Sequence, residues 1–194
     1  MIVDSCLPSQ QCPTAAKKAN QILGQIDRAF SRYTKYVMLT IFKVFVRPRL
    51  EYAVTAWTPW MKKDIEVLEK IQHRATRCIS DVQGSYPERL QQLDLPTLEE
   101  RRTRGDAIEV FKYLRGFVDV DKNSLLEMDE TREPKTRHQR TFKPLKIPRS
   151  KLDLRQNFFT VRGAKLRNAL PSSARESSSV NNFKNAYDNH LSQS

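Results

Sequence analysis

The sequence predicts an all-α protein, and three observations lead to that fold class. Only 5 of the 194 residues are glycine, which argues against a fold built from strands and tight turns. Apolar residues recur at the three- and four-residue spacing of helices. Capping residues stand where several of these helices would begin. The expected architecture is a multi-helix bundle, followed by a basic, partly irregular C-terminal extension and two returning helices.

The first two helices are predicted from apolar residues at helical spacing. Thr14 is expected to cap a first helix that begins at Ala15 and ends near Ser31. A second helix should start near Thr34. Its inner side is expected to carry four apolar residues: Val37, Ile41, Val44 and Phe45.

Two prolines divide the next part of the chain. Pro48 should break or kink the second helix, because proline lacks a backbone N–H and clashes with the preceding turn. A further short helix is expected over residues 49–57. Pro59 then separates Trp57 from Trp60, and the two large rings are expected to seal the junction between two helices.

The helix predicted over residues 61–80 has two chemically different sides. One side is apolar and should face a core: Leu68, Ile71, Ala75, Cys78 and Ile79. On another side, at about 100° per residue, four cations fall within roughly 60° of one another: Lys63, Lys70, Arg74 and Arg77. This row is compatible with a phosphate-contacting face. It is equally compatible with a solvated stripe that Glu66 and Glu69 partly neutralise.

Capping signals delimit the helices that follow. Gly84 should end the helix of the cation row, and Pro87 stands in the first turn of a short helix. Thr97 and Glu100 form the capping-box pattern of a longer helix, with Gly116 as its expected C-terminal stop. Four residues of this longer helix should be buried: Ala107, Val110, Phe111 and Leu114.

The C-terminal part of the chain is strongly basic. Residues 132–167 hold twelve Lys and Arg residues against two acidic ones, which gives +10 of the formal net charge of +12. Phe158 and Phe159 lie among these cations and are expected to dock on a core. Two helices return afterwards, over residues 157–169 and near the end of the chain. The last one is amphipathic and carries Val180, Phe183, Tyr187 and Leu191.

Charge and cysteine usage narrow the function classes. A net charge of +12 favours a polyanionic partner, with nucleic acid ahead of an anionic membrane surface. The three cysteines, Cys6, Cys12 and Cys78, are too few for a disulfide framework and lack zinc-ligand spacing. They predict an intracellular compartment, cytoplasmic or nuclear, and no metal or other cofactor. The longest apolar run, residues 36–46, is shorter than the ~20 residues that cross a bilayer, so no membrane partner is expected.

Short motifs along nearly the whole chain carry a family resemblance. They are Ile2-Val-Asp-Ser5, Ser9-Gln-Gln-Cys12, Ala16-Lys-Lys-Ala-Asn20, Ile22-Leu-Gly24, Val46-Arg-Pro-Arg-Leu-Glu-Tyr52, Lys63-Asp-Ile-Glu66, Gln72-His-Arg-Ala-Thr-Arg77, Tyr86-Pro-Glu-Arg-Leu90, Leu98-Glu-Glu-Arg-Arg102, Arg104-Gly-Asp106, Arg155-Gln-Asn-Phe-Phe159, Leu170-Pro171 and Val180-Asn-Asn-Phe183. In their order and spacing they resemble the C-terminal part of the reverse transcriptase of LINE-type, non-LTR retrotransposons, closest to the chicken-repeat and jockey-like clades. The resemblance implies four segments: a palm-end remnant over residues 1–13, a helical thumb-like domain over 14–118, a basic linker over 119–154 and a C-terminal helical extension over 155–194.

The resemblance also implies that the chain is non-catalytic. The family's palm motif, an aromatic-x-Asp-Asp hairpin, is missing, and Asp119 and Asp121 are neither adjacent nor flanked by predicted strands. Two-metal nucleotidyl transfer needs clustered carboxylates, so no catalytic residue is expected. Arg49 and Arg167 depart from the family, which usually has His and Trp at these places.

The resemblance implies binding to RNA, DNA or an RNA–DNA duplex through the phosphate backbone, beside the palm and fingers of a parent polymerase. The alternative is a helical protein-interaction module without a nucleic-acid role, which would dock through Trp57, Trp60 and the last helix. The candidate nucleic-acid-binding residues are basic: Lys63, Lys70, Arg74, Arg77, Arg101, Arg102, Lys135, Arg137 and Arg140.

Overall fold

The computed structural model describes residues 8–30, 33–119, 126–129 and 143–192. Over these ranges the chain is mainly α-helical. Its β-type pairing consists of two isolated bridges, Tyr33 with Ile79 and Met128 with Leu145. The predicted all-α class is therefore confirmed. The chain divides into two compact units, residues 1–102 and 103–194. Each unit is described by itself.

Unit 1 is built from helices that enclose one apolar cluster. The helices are α1 (Pro8–Ala29), α2 (Lys35–Ile41), a π-helical turn (Phe42–Val46), α3 (Arg47–Glu51), α4 (Val54–Trp57), α5 (Lys62–Arg77) and α6 (Tyr86–Leu93), and α7 (Leu98–Arg115) begins in this unit. The longest two helices of the unit, α1 and α5, pack against each other. They bury Leu23 and Ile26 from α1 against Leu68 and Ile71 from α5 in the same cluster.

The first helix starts earlier than the sequence predicts. It begins at Pro8, so Thr14 lies inside it and donates its hydroxyl to the Gln10 carbonyl at 3.0 Å. The predicted N-cap at Thr14 is therefore wrong. A threonine inside a helix bonds back to the preceding turn in this way, and sequence alone does not separate that role from capping.

The buried side of the second helix is also not the predicted one. Every fourth residue is buried: Met38, Phe42, Val46 and Leu50. Val44, Phe45 and Val37 are exposed, and Val37 is the least exposed of the three. In a regular α-helix a four-residue repeat drifts around the axis. The π-helical turn from Phe42 to Val46 uses more residues per turn and reduces this drift, so the stripe stays on one side.

Pro48 does not end this helical run. Upstream of it, the Arg47 N–H bonds the Phe42 carbonyl, five residues back. The wider turn makes room where the proline ring would clash with the preceding turn. The break comes later: α3 ends at Glu51, and Ala53 adopts a left-handed backbone with φ 52°. The single helix predicted over residues 49–57 is therefore wrong.

The capping predictions for α7 agree with the structure, whereas Gly84 does not end α5, which already stops at Arg77. Thr97 and Glu100 bond each other's backbone N–H groups at 2.8 and 3.1 Å, as a capping box requires. At the other end of α7, Gly116 has a positive φ of 73°. The Phe117 N–H bonds the Lys112 carbonyl and the Gly116 N–H bonds the Tyr113 carbonyl, which is the Schellman motif.

Unit 2 holds the rest of α7 with α8 (Asp153–Gln156), α9 (Phe159–Ala169), α10 (Ser172–Arg175) and α11 (Val180–Ser192). Arg162 donates two hydrogen bonds to Asp106, of 2.5 and 3.2 Å, which join α9 to α7.

Phe159 is buried as predicted, whereas Phe158 is 44% exposed. In α11 Phe183 and Tyr187 are buried, but Leu191 at the end of the predicted stripe is exposed.

Candidate nucleic-acid interface

The α5 helix presents the predicted cation row to solvent. Its apolar side is buried through Leu68, Ile71 and Ala75, so the opposite side is held outward. Four exposed cations lie there: Lys63, Lys70, Arg74 and Arg77. Three of these four, all except Arg74, form no ion pair with any described residue.

Arg74 differs from the other three members of the row. Its Nη2 donates to the Asp27 carboxylate at 2.7 Å, and its Nη1 donates to the Asn20 amide oxygen at 3.2 Å. Both partners are on α1. Arg74 therefore joins α5 to α1, and part of its charge is already neutralised.

An open groove of about 930 Å³ runs along α1 beside α5. Around α5, Lys63, Lys70 and Arg74 lie within about 60° of Val67, which lines this groove. Three members of the row therefore lie on the same side of α5 as the groove, although none of the four cations is among the described residues that line it. The groove is lined by Pro13, Ala16, Lys17, Asn20, Gln21, Gly24, Gln25, Arg28 and Val67.

The α1 side of the groove contributes two exposed cations that the sequence analysis did not select, Lys17 and Arg28. Their signal is present in the sequence. At about 100° per residue they lie roughly 20° apart around the helix, opposite the stripe that buries Ala19 and Leu23. The prediction of the first helix depends on its apolar side alone, so it does not include these two cations.

Two residues of the predicted set are used inside the fold. Arg101 donates twice to the Glu51 carboxylate, at 2.5 and 3.0 Å. Arg102 is only 2% exposed and donates to the Leu50 carbonyl at 3.5 Å. Because a buried guanidinium cannot reach a phosphate outside, the assignment of Arg102 to the interface is wrong. Lys135, Arg137 and Arg140 lie outside the described residues.

Buried polar groups surround Arg102. Burial lowers the pKa of its guanidinium, while the charges of Cys12 and Glu69 act in the opposite direction. Burial, helped by the Asp64 carboxylate, raises the pKa of the Cys12 thiol to about 12. Burial also raises the pKa of Glu69, whose carboxylate accepts hydrogen bonds from the Tyr86 hydroxyl and from the Leu98 N–H. Within unit 1, Glu69 therefore joins α5 to the start of α7, and Arg102 joins α7 to α3.

Neither a metal centre nor a membrane span is found in the part of the chain that the structure describes. No three His, Cys, Asp or Glu side chains come together there in a metal-binding arrangement. Asp119, the described member of the Asp119–Asp121 pair, is exposed. Within the same ranges, no helix has both the length and the apolar content that crossing a membrane requires.

Comparison with known proteins returned no family model, no curated protein and no solved structure that matches this chain.

Proposed function

We propose that this chain is a non-catalytic nucleic-acid-binding module that holds a duplex by its phosphate backbone. In keeping with the resemblance of its motifs, the chain would be the thumb-side part of an RNA-directed DNA polymerase, whose palm and fingers would be its protein partners. The observation that carries the proposal is the groove along α1 beside α5. Exposed Lys17 and Arg28 line it from α1, and Val67 lines it from α5, whose exposed cation row lies nearby around the helix.

The length of the α5 row suits a nucleic-acid strand. From Lys63 to Arg77 the helix rises about 21 Å at 1.5 Å per residue. One strand of a duplex places a phosphate about every 3.4 Å along the axis, so the row is as long as roughly six phosphates. Contacts between these cations and the backbone would read no bases, because phosphate contacts position a duplex without specifying its sequence.

The lining of the groove also favours a phosphate backbone. Its described residues include no carboxylate, and they include three side-chain amides: Asn20, Gln21 and Gln25. Amide N–H groups bond phosphate and sugar oxygens. Beside them, a Cβ added at Gly24 would meet no atom within 4 Å, so the α1 surface is open at that point.

The test is duplex binding by a variant that lacks the three unpaired cations of the row, Lys63→Gln, Lys70→Gln and Arg77→Gln. Arg74 is left in place because it joins α5 to α1. Binding to a fluorescent RNA–DNA duplex is measured by anisotropy over a range of salt concentrations. We expect weaker binding at low salt and a salt slope that is flatter by roughly one unit per lost phosphate contact.

The matched control removes three exposed cations elsewhere, by Lys43→Gln, Arg49→Gln and Lys165→Gln. This variant has the same net charge as the test variant, and it should bind almost as the unchanged chain does. If both variants weakened duplex binding equally, the groove would not be the binding site. The result would favour diffuse attraction of the duplex to the whole basic chain.

A second function, a protein-interaction module, is favoured by a different observation. The run from α2 to the turn after α3 exposes large apolar side chains, with Tyr36 80%, Phe45 58% and Tyr52 66% exposed. The residues that the sequence predicts for docking, Trp57 and Trp60, are half-buried. Salt separates the two functions, since an apolar dock is nearly insensitive to it whereas phosphate binding weakens steeply.

A further inference from the structure

The helical run from α2 to α3 carries a second, exposed row opposite its buried stripe. The buried stripe recurs every four residues, through Met38, Phe42 and Val46. Because the π-helical turn keeps this repeat in phase, the positions two residues away also stay in line, on the outer side of the run. The residues at these positions, all exposed, are Tyr36, Thr40, Val44 and Pro48.

A further apolar row lies beside the outer one. It contains Val37, Ile41 and Phe45, of which Val37 is 37% and Phe45 58% exposed, while Ile41 is half-buried. Rows of residues four apart are the ridges that pack into the grooves of another helix. From residue 35 to residue 51 the run rises roughly 24 Å, or between four and five helical turns. The two rows therefore form a surface with the length and spacing of a helix-docking site.

The charges around the two rows are all positive. Residues 35–50 include four Lys and Arg residues and no Asp or Glu. Lys43 and Arg49 are exposed, and neither forms an ion pair with any described residue. The next acidic residue along the chain, Glu51, already accepts two hydrogen bonds from Arg101. A partner with carboxylates beside its apolar side would complement this surface, whereas a second copy of the surface would oppose like charges.

We propose that this surface docks an acidic amphipathic helix of a partner protein. The apolar side of that helix packs against the two rows, and its carboxylates lie near Lys43 and Arg49. A single-stranded nucleic acid fits less well, because successive bases stack on neighbouring aromatic rings. Here Tyr36 and Phe45 are about 13 Å apart along the helix axis, with aliphatic residues between them. The inference rests on the second function proposed above, for which it names the class of partner, and it does not depend on the groove beside α5.

Three fluorescent peptides test the proposal in anisotropy titrations with the full chain at low salt. Each is a stabilised amphipathic helix of about 16 residues, which matches the length of the surface. All three share one leucine stripe, and the positions that flank the stripe are Glu, Gln or Lys. We expect the Glu peptide to bind about tenfold or more tightly than the Gln peptide, and the Lys peptide to bind most weakly.

The two ways in which the peptides could fail are distinguishable. If the Glu and Gln peptides bound equally well, the acidic class of partner would be wrong, while the apolar dock of the second function would stand. If none of the three bound, the surface would not be a helix dock. Neither result bears on duplex binding, which is measured separately.

Two double variants locate the bound peptide. Val44→Gln with Phe45→Gln should weaken binding of the Glu peptide about tenfold or more, because each apolar row loses one member. Lys43→Gln with Arg49→Gln should reduce the preference for the Glu peptide over the Gln peptide about threefold to tenfold, because exposed ion pairs contribute modestly. All four side chains are exposed, so both variants should fold as the unchanged chain does.

Matched controls remove similarly exposed groups from unit 2. Leu152→Gln with Leu154→Gln is the apolar control, and Lys151→Gln with Lys165→Gln is the cationic control. Both should leave binding of all three peptides unchanged, and equal weakening in a test variant and its control would overturn the proposal. Binding of the unchanged chain to phosphatidylserine vesicles that is lost in the Val44 variant would assign the surface to an anionic membrane and would also overturn it.

Discussion

Arg74 on α5 and Asp27 on α1 form an ion pair with an N–O distance of 2.7 Å. Both side chains remain partly exposed, so the pair is worth little for stability, about 1 kcal/mol or less. Its larger effect is on charge. It neutralises one cation of the row and places a carboxylate beside the groove.

The ion pair leads to a gain-of-binding prediction. Asp27→Asn keeps the shape of the side chain, removes the carboxylate charge and frees the charge of Arg74 for a phosphate. Binding to an RNA–DNA duplex should become tighter at low salt, and the salt slope should steepen by about 0.9 for one added contact. Anisotropy titrations at several salt concentrations measure both effects. Asp81→Asn raises the net charge equally at an exposed position, and if it gives the same gain, the groove is not the binding site.

Catalytic silence is a second expectation, since the sequence has no adjacent aspartates of the palm type and Asp119 is exposed. The purified chain should extend no primer on an RNA template in the presence of magnesium, because two-metal transfer needs clustered carboxylates. Radiolabelled nucleotide incorporation is the measurement. Template-dependent incorporation above a no-protein control would contradict the non-catalytic proposal.

Two helical glycines of unit 2 should respond in opposite directions to the same substitution. A Cβ added at Gly163 would lie 2.5 Å from Cγ2 of Val110, whose stiff, buried side chain cannot move away. Gly163→Ala should therefore lower the free energy of unfolding by about 1–3 kcal/mol through overpacking. A Cβ added at Gly105 meets no atom within 4 Å. Gly105→Ala should raise the free energy of unfolding by about 0.5–1 kcal/mol.

Urea unfolding followed by circular dichroism measures both changes under the same conditions. The Gly105 variant is the control, because it adds the same methyl group to a helix without a steric contact. A Gly163 variant as stable as the unchanged chain would show that α9 and α7 do not approach as closely as described.

Local signals in the sequence predicted both ends of α7 well. The Thr97–Glu100 box and the Gly116 stop need only residues that are near in sequence, and their energetics are local. Helix periodicity also placed the core residues of α5, since Leu68, Ile71 and Ala75 fall on one regular stripe. Such features depend little on the rest of the fold.

The buried side of the second helix depends on tertiary packing, which periodicity does not contain. A regular α-helical repeat predicted Val44 and Phe45 inside, whereas the π-helical turn brings Phe42 and Val46 inward. The π-helical turn accommodates Pro48, which follows it. From the sequence alone, however, a proline predicts a helix break just as well as it predicts such a turn.

The sequence predicted only part of the candidate site, because the rest of the site also depends on tertiary packing. Exposure of the α5 row follows from its helical face, so the sequence could place it. The burial of Arg102 and the pairing of Arg74 with Asp27 join positions far apart in sequence. No local pattern reports such contacts, and basic residues at the start of α7 resemble surface residues until α1 and α5 cover them.

The burial of Trp57 sets the cost of its removal. Complete burial would make Trp57→Ala cost about 3–5 kcal/mol. The ring is half-buried, and its Nε1 donates to the Tyr52 carbonyl at 2.7 Å across the Ala53 turn. We therefore expect a loss of about 2 kcal/mol, of which about 1 kcal/mol is the hydrogen bond.

Trp57→Phe separates the two contributions, because it keeps most of the ring contact and removes the donor. Its unfolding free energy should fall by about 1 kcal/mol. Fluorescence of Trp60 during urea unfolding reports on the same unit in both variants. A loss below about 0.5 kcal/mol for Trp57→Ala would contradict a packing role and favour Trp57 as a docking residue.

The buried thiol of Cys12 predicts how stability depends on alkaline pH. Its pKa is raised from 9.0 to about 12, first by burial and then by the Asp64 carboxylate. The folded state therefore holds the proton after the unfolded state has released it. The contribution of the Cys12 thiol to the free energy of unfolding is complete below pH 9.0. It falls as the pH rises from there and levels off above about pH 12. At pH 10 the loss should be about 1.4 kcal/mol relative to pH 8.

The difference in unfolding free energy between the unchanged chain and Cys12→Ala isolates this contribution, because other titrating groups such as Cys78 and Tyr86 are common to both proteins. That difference should shrink between pH 8 and pH 10 in urea unfolding. A difference that stays constant over this range would show that the Cys12 thiol ionises equally in both states and that its surroundings in unit 1 admit water.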